Sequence, residues 1–201
     1  MLPRFDEQAV ASALRGLSWR ARLAFGAACA GRILPNYARF RAETGWGHLQ
    51  ILQGALSYLW DVAVGAIEVD GQTVGDWTTR SEAQTPDSEA FESLFTSSAQ
   101  DSVFAICALL DFCAAGDVGK VILAARYPTD SIDLYVQELE QMDPQASNLE
   151  DLILSTPLMQ QELSRQGRDL ELLRTLPEGQ AIQQLRARDG SEDAFDLHHA
   201  A

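Results

Sequence analysis

The chain has 201 residues, 46% of them hydrophobic and 22% charged, which suits one globular domain with ample material for a core. Its net charge of −14 opposes general binding to nucleic acid or to an anionic membrane. No apolar h-region follows the start Phe5-Asp6-Glu7, and the longest near-apolar run, Val103 to Ala115, is too short to span a bilayer, so a soluble cytoplasmic protein without membrane association is expected.

Helical periodicity recurs along the chain, and no segment alternates as a half-buried strand does. Phe5 to Leu17 is predicted as a first helix with Ala9, Ala13, Leu14 and Leu17 on one side. Ser18 is the N-cap of a second, Trp19 to about Ile33, whose Ala24, Ala27, Ala28 and Gly31 leave a shallow groove for a neighbouring helix. Pro35 lacks an amide hydrogen and is expected to end that helix and open a short one to Thr44, with Tyr37 and Phe40 on one side. Gly45 is then the left-handed residue after the helix, with Trp46 packing back on the preceding turn. His48 to Val64 is the clearest amphipathic helix. Leu49, Leu52, Leu56, Leu59 and Trp60 share one half of its wheel, while Gln50, Gln53, Ser57 and Asp61 occupy the other, which makes Asp61 a surface carboxylate.

Asp70-Gly71 and Thr85-Pro86-Asp87 are turn signals, with Val74 and Trp77 anchoring one short helix between them. Asp87 can cap a turn carrying Phe91, Leu94 and Phe95. Ser98 to Ala115 is apolar on nearly every side, as in a helix that others surround, and Gly116 ends it. Asp117 caps a helix to Arg126 that breaks at Tyr127-Pro128. A restart at Thr129 or Asp130 runs through Ile132, Tyr135, Val136 and Leu139 to Asp143-Pro144. Thr156-Pro157 pairs an N-cap with a first-turn proline for a helix to Leu176, and Pro177 starts a last one with Ile182 and Leu185. The predicted architecture is a single all-α domain over residues 1–188, a bundle of about seven to nine helices around Ser98–Ala115, followed by a frayed acidic tail at 189–201.

The segments Leu34-Pro35-Asn36-Tyr37-x-x-Phe40, Thr44-Gly45-Trp46-Gly47 and Leu56 to Trp60 resemble a bacterial family, domain of unknown function 416, the YjaG-like proteins. The resemblance continues through Ala99-Gln100-Asp101, Ser131-Ile132 and the helix opening Pro157-Leu158-Met159-Gln160-Gln161-Glu162, over roughly residues 15 to 185. It implies an all-α domain of bacterial cytoplasmic type and carries no activity to inherit.

Nothing in the sequence assembles a catalytic set, and no cofactor is expected. There is no phosphate-binding glycine loop and no nucleophile elbow. Histidines are His48, His198 and His199, too few and too scattered for a zinc site. Asp101 and Asp111 share the central helix, where ten residues put them roughly 15 Å apart along the axis. That is beyond a glycosidase pair, and each is expected to bond a neighbouring helix or an arginine. Asp130 and Asp133 read as acids of a first helical turn. Cys29, Cys107 and Cys113 are odd in number and lack metal or redox spacing, so buried free thiols are expected.

Charge is unevenly spread. Residues 1–43 hold seven arginines against Asp6, Glu7 and Glu43, a balance of +4, so the remainder carries −18. A basic N-terminal unit docked on an acidic body accounts for this, and a basic surface offered to a partner is the other reading.

The remaining candidate is the corner formed by Asn36, Tyr37, Trp46 and His48, with Asp101 as an accessory group. It reads either as a rigid helix–turn–helix corner, with proline start, amide cap, glycine stop and aromatic staple, or as a pocket for a small ligand or peptide. The first-ranked function is a protein-interaction or regulatory module, since apolar helical surface is plentiful. The alternative is a small-molecule-binding protein or enzyme using that corner. Predicted partners are proteins, a second copy of this chain among them.

Overall fold

Within residues 3–188, which the computed structural model describes, every regular element is an α-helix. In chain order these are α1 (Glu7–Arg15), α2 (Trp19–Thr44), α3 (Leu49–Val64), α4 (Gly71–Glu82), α5 (Thr96–Ala115), α6 (Val118–Leu139), α7 (Leu149–Ser155), α8 (Pro157–Thr175) and α9 (Glu178–Arg188). They pack as a multi-helix bundle, as the periodicity predicts. The acidic tail read at 189–201 lies outside the described residues.

Local chemistry sets most of the boundaries. The Ser18 hydroxyl accepts from Ala21 N at 3.1 Å, Asp117 Oδ1 from Gly119 N at 2.9 Å, and Thr156 Oγ1 from Met159 N at 3.4 Å. Asp70 starts α4 by accepting from the Thr73 amide at 2.8 Å and its hydroxyl at 2.7 Å. α2 ends at Gly45, which sits at φ 72°, a left-handed conformation that glycine adopts without a Cβ penalty.

Two expected breaks are absent. α2 runs unbroken for 26 residues with Pro35 inside it, and α6 for 22 residues across Pro128. An interior proline removes one helical hydrogen bond and costs about 3 kcal/mol. In α2 that cost is spread over a helix buried by α3, α5, α6, α8 and α9, which hold the turns on either side of Pro35 in line. In α6 the Thr129 hydroxyl donates to the Arg126 carbonyl at 2.7 Å, so the turn around Pro128 keeps a hydrogen bond. Asp130 and Asp133 therefore lie in mid-helix, not in a first turn. α7 was not indicated by the sequence; it is a short helix braced on α6 and α8.

The core centres on two crossing helices. α5 packs against α2, α3, α4 and α6, as its apolar surface predicts, but α2 is as deeply enclosed. They approach closely at Gly26, where an added Cβ would collide with Cδ2 of Leu109. The Ser102 hydroxyl, fully buried, lies 2.9 Å from the Ile33 carbonyl of α2 and 2.8 Å from the Ser98 carbonyl of its own helix. At 20 residues α5 is longer than its apolar run and is long and apolar enough to cross a membrane. Here it is the core helix of the bundle, with Phe104 as its main exposed apolar side chain, resting on Tyr127 at 6.0 Å between ring centroids.

The uneven charge is used inside the chain. Arg4, Arg20 and Arg32, from the basic segment, each reach a carboxylate beyond residue 43: Glu150, Glu68, and the pair Glu162 and Asp169.

Candidate functional site

The end of α2, the turn at residues 45–47 and the start of α3 bring Asn36, Tyr37, Trp46 and His48 to one end of the bundle. Tyr37 is fully buried, and its hydroxyl donates to the Gln84 carbonyl at 3.1 Å. Gln84 also accepts from the His48 amide through Oε1 at 2.9 Å and donates to the Arg80 carbonyl at 3.2 Å. A single glutamine after α4 thereby ties both sides of the corner together. Burial pushes the Tyr37 phenol up to about 12, so it stays a neutral donor at physiological pH.

Phe40, Trp46 and Phe91 fill the outside of the corner. Their rings lie 5.1 Å apart for Phe40–Phe91, 5.6 Å for Trp46–Phe91 and 6.1 Å for Phe40–Trp46, two of the three pairs edge-on. A Cβ on Gly47 would strike the Tyr37 hydroxyl, which shows how tightly the turn closes on the ring. The aromatic staple is present and involves Phe91, a residue the sequence placed only in a distant turn. The amide cap is not: Asn36 lies inside α2, nearly fully buried, and its Nδ2 has no hydrogen-bond partner among the described residues. The His48 side chain is exposed and makes no capping bond to α3.

Asp101 is bonded on the α5–α6 side instead, where its Oδ2 accepts from the Ser131 hydroxyl at 2.7 Å. Burial pushes its carboxyl up to about 6, with Ser131 pulling partway back and the Asp130 charge adding a further push. The folded-state value lies above the ordinary carboxylate value of 3.8, so the proton stabilises the fold. This stability is fully present below about pH 4 and is lost as pH rises through 6. Asp101→Asn is therefore expected to gain about 1–3 kcal/mol on the wild type between pH 4 and 7, read as diverging urea midpoints. Parallel profiles for the two proteins would refute the assignment. Asp111, near the exposed end of α5, meets Lys120 at 2.7 Å, a lysine where an arginine was one expectation. α5 is unbroken between them, so the two carboxylates stay apart as a pair.

One polar cluster escaped the sequence reading altogether. Arg32 of α2 donates to Glu162 through Nε at 3.0 Å, to Asp169 through Nη1 at 2.7 Å and to the Cys29 sulfur through Nη2 at 3.2 Å. Gln166 bridges Glu162 and the Ala125 carbonyl of α6, both at 2.8 Å. Glu162 is fully buried, and Arg32 and Asp169 nearly so. The available signal was the spacing Glu162, Gln166, Asp169, which puts three polar groups on one face of α8. With Glu162 enclosed and the Arg32 and Asp169 side chains no more than a tenth exposed, the cluster clamps α2, α6 and α8. Burial drives the Cys29 thiol far above its ordinary range and pushes Cys107 and Cys113 up to about 12, which leaves all three poor nucleophiles.

A second concave feature lies between α2 and α3. Leu34, Leu56 and Trp60 floor a groove of about 470 Å³, with Pro35, Ala38 and Leu49 on its walls. Among the described residues Arg186 of α9 is the only charged one lining it, held by Asp61 at 2.7 Å. Among the described residues no group of three or more histidine, cysteine or carboxylate side chains is placed to hold a metal ion.

Comparison with known proteins agrees with this architecture. No curated protein matches the chain. A crystal structure of a DUF416 family protein from Shewanella baltica OS155 superposes with a TM-score of 0.79 at 23% identity, covering 88% of this chain and 90% of that one, a likeness of fold. The model of the family described as "Protein of unknown function (DUF416)" matches residues 9–194, spanning α1 to α9, the Pro35–Gly47 corner and the buried Arg32 cluster alike, and the chain belongs to that family.

Proposed function

We propose that the chain is a protein-interaction module that receives an apolar segment of a partner protein in the groove between α2 and α3. The observation that carries this reading is the groove itself: a concave apolar surface between two long helices, floored by the largely buried Leu34, Leu56 and Trp60. Gly31 and Pro35 leave the α2 wall free of long side chains, and Gln53 and Ser57 form a polar rim. Its volume falls in the range of specific binding sites. A segment with aliphatic or aromatic anchors fits the floor, and the Arg186–Asp61 pair at one end of the groove offers it polar contacts. The corner at Asn36–His48 offers a small molecule little room while Tyr37 and Gln84 hold their places.

Ser57→Arg tests the reading, because Ser57 is exposed and a long charged side chain there overhangs the groove without disturbing the core. Its melting temperature should match wild type. A protein captured from the native host by wild type and by the control Gln50→Arg, which lies off the groove, should be lost with Ser57→Arg. If that protein is a second copy of the chain, wild type sediments at twice 22.0 kDa and Ser57→Arg at 22.0 kDa. Equal capture by all three proteins, or capture of nothing, would overturn the proposal.

A further inference from the structure

Away from the groove, a cleft of about 530 Å³ opens between the N-terminal segment, α6, α7 and the first turn of α8. Its floor is apolar, built from Phe5, Leu149, Ile153, Leu154 and Met159. Its rim is charged and unbalanced: Glu7, Asp130, Asp133 and Glu150 face Arg4 and Arg126, an excess of two negative charges. Both guanidinium groups are already engaged. Arg126 reaches Glu7 through Nη1 and Asp130 through Nε, each at 3.2 Å, and Arg4 reaches Glu150 at 3.7 Å. Asp133 accepts from the Gln137 side-chain amide at 2.5 Å, a neutral donor. Burial holds the Asp130 carboxyl above its ordinary range against the pull of Arg126, so that carboxylate too would gain from an incoming positive charge.

An anion would meet this excess of carboxylates and be repelled. A neutral apolar molecule would use the floor and leave the rim's charge unanswered. A metal ion would make no use of the floor. We propose that the cleft binds a small organic cation with an apolar body, of the aliphatic amine or diamine class. The methylene chain lies over Ile153, Leu154 and Met159, and the ammonium group donates to Asp133 and Asp130. A primary ammonium has three donors and a compact charge, which suits two carboxylates one helical turn apart on α6. This site shares no lining residue with the α2–α3 groove, so the two proposals stand or fall separately.

Calorimetric titration of the full chain at low ionic strength tests the proposal with four probes: 1,5-diaminopentane, pentylamine, pentanol and pentanoate. Saturable one-to-one binding is expected for the two amines, with the diamine tighter, and none for the alcohol or the acid. Added salt should weaken it. Asp133→Asn keeps the shape of the side chain and its contact with Gln137, and is expected to lower amine affinity about tenfold or more. Asp111→Asn, at a distant carboxylate paired with Lys120, should leave affinity unchanged. Circular dichroism melting curves establish that both variants fold. Absence of saturable amine binding, equal affinity in Asp133→Asn, or pentanol binding as tightly as pentylamine would each overturn the assignment.

Discussion

Arg32→Met is expected to destabilise the chain by about 3–5 kcal/mol, the usual penalty for removing one partner of a buried ion pair. Methionine fills much of the volume but leaves Glu162 enclosed without its counter-charge and Asp169 with only the longer contact to the half-exposed Arg188 at 3.9 Å. Gln166 supplies Glu162 with one neutral hydrogen bond, too little to replace a guanidinium that donates from three nitrogens. The loss comes from stranded charge and not from lost attraction alone. The triple variant Arg32→Met, Glu162→Leu, Asp169→Leu should therefore recover part of it, because an apolar replacement of a whole buried network is often neutral or better. Urea denaturation read by circular dichroism gives both numbers. An Arg32→Met midpoint within about 1 kcal/mol of wild type would show that the cluster is not the clamp its geometry indicates.

The second large effect belongs to the contact between α2 and α5. Leu109→Ala should cost about 2–5 kcal/mol, since Leu109 is fully buried where the helices cross. Gly26→Ala should cost about 1–3 kcal/mol by overpacking, because its new methyl meets Leu109 Cδ2. In the double variant the alanine at position 26 occupies part of the space that Leu109 vacates. Its total loss should fall short of the sum of the two single losses by at least about 0.5 kcal/mol, a coupling that a double-mutant cycle measures. Strict additivity would mean that α5 and α2 adjust independently and that neither is a rigid hub.

Much of this fold is written in short stretches of sequence. Ser18, Asp117 and Thr156-Pro157 announce helix starts because a side-chain oxygen or a missing N–H is a local requirement that neighbouring residues meet by themselves. Gly45 and Gly116 announce stops for the same kind of reason: both sit at φ 72°, where only glycine is comfortable. The apolar character of Val103 to Phe112 likewise foretells a helix wrapped by others.

Tertiary packing decided the rest. Pro35 and Pro128 carry the local signature of a helix break, yet α2 and α6 continue through them because burial over many residues outweighs one lost hydrogen bond. Of the five residues singled out in the sequence, Tyr37 and the His48 backbone meet through Gln84, Trp46 packs on Phe40 and Phe91, and Asp101 turns to Ser131. The Gln84 brace, the Phe91 ring and the Arg32–Glu162–Asp169 network join positions separated by 36 to 137 residues. Such contacts leave no trace in local periodicity. A charged residue on a helix face looks the same in the sequence whether it meets water or a buried partner, and only the packing of α8 against α2 supplies that partner for Arg32.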